Sequence, residues 1–208
     1  MFVYKYKSLG NSTCSLEKEK QFGYLKDICT NGQLYASNFD NLDDPMEGIF
    51  NSYRNIDDSY LSELFSTKNC THICSLSPTY QSMLMWSFYA NQHKGCCIEV
   101  ELLEDEPKTV NYVTNPMDVD TANLDNEGKI EQILLRKYLD WAFENELRVL
   151  TKERFVKVRV NKVYFGMRIS NDLFEKYKTD IQNWNEEINV DKMREDMFIH
   201  INTNSNNQ

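Results

Sequence analysis

Trp141–Val158 reads WAFENELRVLTKERFVKV, and its interpretation decides what kind of sheet the chain builds. Leu147–Leu150 and Phe155–Val158 are rich in the branched and aromatic residues that suit pleated backbone, and the polar Lys152–Arg154 between them reads as a turn. With the continuation to Gly166, the stretch predicts two or three strands in succession. Glu144 and Glu146 stand just ahead of the first strand, two residues apart, so on extended backbone their side chains leave on one face. Arg148 falls on that face too. One reading is a solvated strand edge with an ion pair along it. The other is a pair of carboxylates held for chemistry, of the kind that stabilises positive charge developing on a sugar carbon.

Working outward, Phe2–Ser8 alternates like a strand, with Tyr4 and Tyr6 on one face and Lys5 and Lys7 on the other. Ser12–Gly32 reads as a helix capped by Ser15, with Phe22, Leu25, Ile28 and Cys29 on one stripe and Asn31-Gly32 as its stop. Short strands are expected at QLYAS, THICSLS, CCIEVELL and TVNYV. Helices are expected at YLSELFS, at the Met- and aromatic-rich QSMLMWSFYANQ, over Lys129–Phe143 and over DLFEKYKTDIQNWNEEI. DMFIHINT reads as a closing strand or helix end. The polar NPMDVDTANLDNEG shows no periodicity. These elements predict one α+β domain over residues 1–200 with a mainly antiparallel or mixed sheet, followed by a frayed polar tail at 201–208. The strict βαβ alternation and Gly-rich turn of a dinucleotide-binding parallel sheet are missing.

At 208 residues and 12% aromatics such a domain buries a core without disulfide or metal staples. A formal net charge of −9 argues against a generic nucleic-acid coat, though not against an enzyme acting locally on nucleic acid. The six cysteines (Cys14, Cys29, Cys70, Cys74, Cys96 and Cys97) lack paired CxxC spacing. The start MFVYKYKSLG is too polar and short for a secretory signal. The expectation is reduced thiols in a cytoplasmic protein. No apolar run reaches the ~20 residues of a membrane span.

Ser75 and Ser77 share one face at a strand end, where hydroxyls bind a ribose or phosphate or simply satisfy the sheet end. Asp43, Asp44 and Glu47 in NLDDPMEG suggest either a metal loop, without EF-hand spacing, or a Pro45 turn with capped amides. Trp86, Tyr89 and His93 either line a pocket or, at helical spacing, belong to the core. His72 and His200 lack partners at metal spacing, so no metal site is assigned. Glu99 and Glu101 form a second E-x-E, read as a half-exposed strand.

YKYKSL, LYAS, LDDPMEG, CSLS, LMWSFYANQHKGCCIEV and WAFENELRV, in that order, resemble the bacterial domain-of-unknown-function 2971 family over Tyr4–Gly166. More distantly, the chain is similar to ADP-ribosyltransferase-type domains. These have an aromatic-basic first strand, a Ser-Thr-Ser strand resembling CSLS with Leu76 at its centre, and a Glu-x-Glu strand resembling ENELRV. That likeness implies split antiparallel or mixed sheets with flanking helices, and NAD as substrate. It makes Glu146 the catalytic glutamate, binding the nicotinamide ribose and stabilising the oxocarbenium ion, and Glu144 the residue that orients the acceptor. Ser75 supports Glu146. Tyr6 with Lys5 or Lys7 is the first-strand pair, with Ser77, Trp86 and His93 around the nucleotide. Lysine stands where such domains carry Arg or His and lacks the planar two-point phosphate contact.

The expected function is therefore cleavage of the nicotinamide N-glycosidic bond and transfer of ADP-ribose to a protein or nucleic-acid acceptor, as in a toxin or phage-defence effector. The alternatives are a non-catalytic nucleotide- or partner-binding module on the same fold, and a metal-dependent nuclease or phosphoesterase using Asp43, Asp44, Glu47 and Glu99.

Overall fold

A computed structural model describes residues 1–10, 15–52, 56–119 and 126–198. The tail at 201–208, His200, Cys14 and the Ser15 side chain lie outside the described residues. In chain order the elements are β1 (Phe2–Lys7), α1 (Ser15–Asn31), β2 (Gln33–Tyr35), β3 (Ser37–Asn38), β4 (Phe50–Ser52), α2 (Asp58–Asn69), β5 (His72–Leu76), α3 (Met83–Phe88) and β6 (Cys96–Leu102). Then come β7 (Lys108–Thr109), β8 (Asn111–Val113), β9 (Met117–Val119), α4 (Asn126–Leu134), β10 (Arg136–Tyr138), β11 (Leu147–Thr151), β12 (Phe155–Phe165), α5 (Asn171–Trp184) and β13 (Asn189–Lys192). The class is mixed α+β. No helix among the described residues is long and apolar enough to cross a membrane.

The chain gathers into two compact units, the first comprising Met1–Val3, Gly32–Pro78 and Glu101–Arg159, the second Tyr4–Asn31, Thr79–Val100 and Val160–Gln208. The first is organised by an antiparallel sheet in the order β3-β5-β11-β7. Its central register sets Leu147 opposite Leu76, Arg148 opposite Ser75 and Val149 opposite Cys74. The β11–β12 segment is two strands with Lys152–Arg154 between them, as the alternation predicts, and β2 pairs antiparallel with the start of β12. Parallel pairs β8/β10 and β4/β9 complete the unit. Strand β9 falls in a stretch whose sequence has no periodicity; its pairing with β4 supplies the order.

The core of this unit joins Phe39, Leu64, Ile73, Val119, Ile130, Ile133 and Leu134, drawn from α2, α4, β5, β9 and the 3-10 turn after β3. Full burial of each such side chain is worth about 1.5–3 kcal/mol. Helix α2 begins at Asp57, whose carboxylate accepts from the Ser59 amide at 2.7 Å, a cap worth about 1 kcal/mol. It ends near a buried lysine. Lys68 Nζ donates to the Gly48 carbonyl at 3.0 Å and lies 4.1 Å from the Phe39 ring centroid. Burial lowers its pKa. Gly48 itself has φ +69°, and an added Cβ would come to 3.1 Å from the Phe39 ring, so this corner is tied both from above and below.

The helix expected over Lys129–Phe143 stops at Leu134. The spacing of Ile130, Ile133, Leu134, Tyr138 and Trp141 continues a helical stripe, but the backbone does not. Arg136–Tyr138 becomes β10 and Leu139–Glu144 a 3-10 turn. The cause is tertiary. The Leu134 carbonyl accepts from Arg148 Nη1 at 2.5 Å, and the Tyr138 amide donates to Asp44 Oδ2 at 3.2 Å. Both halves of the next i→i−4 helical bond are thus taken by side chains from elsewhere.

The second unit is built on the sheet β1-β6-β12-β13, with β12 and β13 parallel. Helices α1 and α5 pack through stacked Phe22 and Tyr177, 4.3 Å between centroids. Asn91, Gln92 and His93 are successive left-handed residues, a turn that costs strain because each carries a Cβ. Close backbone contact holds it: Gly166 and Arg168 frame the His93 carbonyl, and a Cβ on Gly166 would meet that oxygen at 2.1 Å.

Candidate functional site

Glu144 and Glu146 are not the polar face of a strand. Glu144 closes the 3-10 turn, Asn145 adopts left-handed φ 44°, ψ 48°, and Glu146 precedes β11. The Asn145 corner, not strand alternation, brings the two carboxylates together. Neither is solvated: Glu144 is 4% and Glu146 3% exposed. Lys137 bridges them, donating to Glu144 Oε2 and, at 3.1 Å, to Glu146 Oε2.

Arg148 is the second cation. Fully buried, it donates from Nε and Nη2 to the two oxygens of Glu146, both at 3.0 Å. It also forms a two-point pair with Glu47, Nη1–Oε1 at 2.5 Å and Nη2–Oε2 at 2.8 Å. The ion pair between Glu146 and Arg148 that the sequence suggests is therefore present, but inside the unit. Glu47 comes from the LDDPMEG loop, so two motifs a hundred residues apart close one network. Asp44, of the same loop, accepts from the amides of Met46 at 2.9 Å and Tyr138 at 3.2 Å. Lys68 fixes the carbonyl of Gly48 beside Glu47.

Sharing one guanidinium separates the two acids. Burial opposes ionisation of Glu146, but Arg148 by charge and hydrogen bond, then Lys137 and a hydrogen bond with Ser75, bring its pKa down to about 2. Glu47 is raised: burial there outweighs the pull of Arg148. Burial likewise opposes the charge on Lys137 and Arg148, and their carboxylate partners override it and raise both. Three carboxylates (Glu47, Glu144, Glu146) against two cations leave one negative charge in excess when all are ionised. Tyr112 meets the backbone here, its hydroxyl accepting from the Glu146 amide at 2.7 Å. A cavity of about 20 Å³ borders Lys137, with Met46, Gly48, Ile133 and Tyr138 in its wall. That is room for about one water.

The structure thus brings Glu144, Glu146 and Ser75 together, on the turn that precedes β11 and on the adjacent β5. Ser77, also of the first unit, is buried at the end of β5. Lys5, Tyr6, Lys7, Trp86 and His93 belong to the second unit. There Tyr6 packs edge-on to Trp86 at 5.4 Å and donates to the Thr79 carbonyl, while Trp86 Nε1 donates to the Tyr80 carbonyl. His93 stacks with Trp86 at 6.2 Å and shares a hydrogen bond with Ser87 Oγ at 3.2 Å. Tyr6, Trp86 and His93 are all buried. Lys7 donates to Gln21 at 3.4 Å and lies over the Tyr24 ring, its pKa lowered by burial.

Of the acidic residues weighed as metal ligands, Asp43, Asp44 and Glu47 belong to the first unit and Glu99 to the second. Glu47 is spent on Arg148, Asp44 on backbone amides, and among the described residues no cluster of three or more His, Cys, Asp or Glu could hold an ion. The residues that sequence reasoning missed are Lys137 and Tyr112, and Glu47 as a partner of Arg148. Lys137 was concealed by the apparent helix around it. No family model, no curated protein and no solved structure matches the chain.

Proposed function

We propose that the chain is an ADP-ribosyltransferase-type enzyme that cleaves the nicotinamide N-glycosidic bond of NAD and passes ADP-ribose to a macromolecular acceptor. The observation that carries this reading is the β5–β11 register, which sets Ser75 opposite Arg148 and so beside Glu146, whose pKa the Ser75 hydroxyl helps to lower. It joins the two separated motifs whose likeness to the Ser-Thr-Ser and Glu-x-Glu strands suggested the activity. Glu146 is ionised at neutral pH, as a carboxylate must be to stabilise an oxocarbenium ion. Glu144, on the other side of Lys137, is the acceptor-orienting carboxylate. Binding exchanges the Lys137–Glu146 contact for a ribose hydroxyl, with Arg148 and Ser75 keeping the carboxylate in place.

The test is release of free nicotinamide from NAD by the full chain, followed by chromatography. Glu146→Gln keeps the shape and removes the charge, and release should stop. Equal release by that variant overturns the assignment.

A second reading, a non-catalytic nucleotide- or partner-binding module, draws on a different observation. Both oxygens of Glu146 are already met by Arg148 and Lys137, an arrangement that serves as an internal brace without any substrate. NAD or ADP-ribose binding in calorimetry with no nicotinamide released selects this reading.

A further inference from the structure

The first unit carries a second polar groove that shares no lining residue with the Glu146 network. Its volume is about 460 Å³, and Tyr35, Asn38, His72, Lys152 and Arg154 line it. Its floor is a row of paired residues across three strands: Asn38 of β3 opposite His72 of β5, and His72 opposite Thr151 of β11. The Asn38 amide is fixed by donation to the Asn69 carbonyl at 3.1 Å. His72 Nδ1 is buried without a hydrogen-bond partner among the described residues.

The turn after β11 supplies charge. The Glu153 amide donates to Thr151 Oγ1 at 3.1 Å, which tightens the turn while Lys152 and Arg154 flank the groove. Arg154 forms no ion pair with any described residue. Lys152 pairs with Glu127 at 2.6 Å, but both are largely exposed, and such a pair exchanges cheaply. No carboxylate is among the groove's lining residues. On a chain of net charge −9, Arg154 without an ion-pair partner among the described residues and Lys152 with only an exposed one offer an anion a local positive edge.

The third component is aromatic. Tyr35 is 54% exposed and Phe155, opposite it across the β2–β12 pair, is 47% exposed. Their rings meet edge to face at 5.8 Å. This contact steadies Tyr35 and leaves its ring open at the groove's rim. A flat exposed ring beside paired cations matches a base joined to a phosphate, since any base offers a π-face for stacking. The volume lies in the range of about 300–1,000 Å³ that suits small ligands.

We propose that this groove binds a nucleoside monophosphate, with the phosphate on Arg154 and Lys152, the base against Tyr35, and the sugar over the Asn38–His72 row. The assignment is independent of the NAD-cleaving reading and uses none of its residues.

Calorimetric titration of the full chain with AMP, adenosine and inorganic phosphate tests it. AMP should bind, with adenosine and phosphate each at least about tenfold weaker because each keeps one half of the contacts. Arg154→Ala and Tyr35→Ala, both at exposed positions, should each weaken AMP by about tenfold; Arg154→Ala should leave the melting temperature unchanged, and Tyr35→Ala should lower it slightly through the lost ring contact with Phe155. Glu146→Gln should leave AMP binding within about twofold. Absence of AMP binding at millimolar concentration, phosphate binding as tight as AMP, or indifference to Arg154→Ala overturns the proposal. Loss of AMP binding in Glu146→Gln also overturns it, by assigning the nucleotide to the other site. Loss of nicotinamide release alone bears only on Glu146.

Discussion

Leu134 and Tyr138 stand four residues apart on a continuous apolar stripe, yet the helical bond between them is replaced from both sides. Arg148 takes the Leu134 carbonyl at 2.5 Å and Asp44 takes the Tyr138 amide at 3.2 Å. Helix α4 ends where the ion network begins, and Lys137 reaches the two glutamates because the chain leaves the helix there. Asp44 is thus a structural hinge for a residue it does not touch. Asp44→Ala leaves the Tyr138 and Met46 amides without their acceptor and should cost about 1–3 kcal/mol in urea unfolding. Asp44→Asn keeps an acceptor oxygen and should recover part of the loss. Equal stability of Asp44→Ala and wild type would remove Asp44 from this role.

Glu146 governs the acid limb of the stability curve. Its folded pKa is near 2, against an ordinary 4.5. A depressed acid contributes stability that is complete above the unfolded value and disappears as the pH falls toward the folded one. The window is therefore about pH 4.5 down to about 2, and the size is on the order of 3 kcal/mol. Glu47 has the opposite sign: its pKa is raised, so protonation on descending pH favours the folded chain. Glu146→Gln should flatten the fall in stability below pH 4.5, measured by urea unfolding across that range. An unchanged slope would mean that another group carries it.

Asn145 makes the corner between the two carboxylates. At φ 44°, ψ 48° it occupies the left-handed region that Asn and Gly tolerate and β-branched residues do not. Asn145→Gly should change stability by less than about 1 kcal/mol, whereas Asn145→Val should lose about 1–3 kcal/mol and displace Glu144 from Lys137. Thermal melts of both variants decide the matter, with nicotinamide release as a second readout. If Val is tolerated as well as Gly, the corner does not fix the pair.

The sequence made the β11–β12 pair legible because its alternation is local and its turn polar. It made Ser75 and Glu146 legible as partners only through the order of the motifs, and their meeting depends on the β5–β11 register, which no spacing along the chain encodes. Lys137 was not legible. The stripe through Leu134, Tyr138 and Trp141 keeps helical period, and only contacts with Asp44 and Arg148, 94 and 14 residues away, break it. Glu47 lay in a loop whose Asp-Pro turn accounted for its acidic residues locally, so nothing there pointed to an arginine 101 positions on. Trp86 and His93 stand at the spacing of a helical stripe, and both are buried with their rings stacked.

Lys137 and Glu144 offer the sharpest test of the network because their charges must be removed together. Lys137→Met alone leaves Glu144 and Glu146 buried with a cation lost, a loss of about 3–5 kcal/mol. Glu144→Gln alone removes the excess negative charge and leaves Lys137 paired with Glu146 at 3.1 Å, so its cost should be smaller. In the double variant Arg148 still neutralises Glu146, and the uncompensated carboxylate of Glu144 is gone. Its destabilisation should therefore fall well below the sum of the single ones, by more than about 1 kcal/mol, measured in one urea-unfolding cycle. Strict additivity would show that Lys137 and Glu144 do not interact. Coupling of that size would establish the buried pair between them.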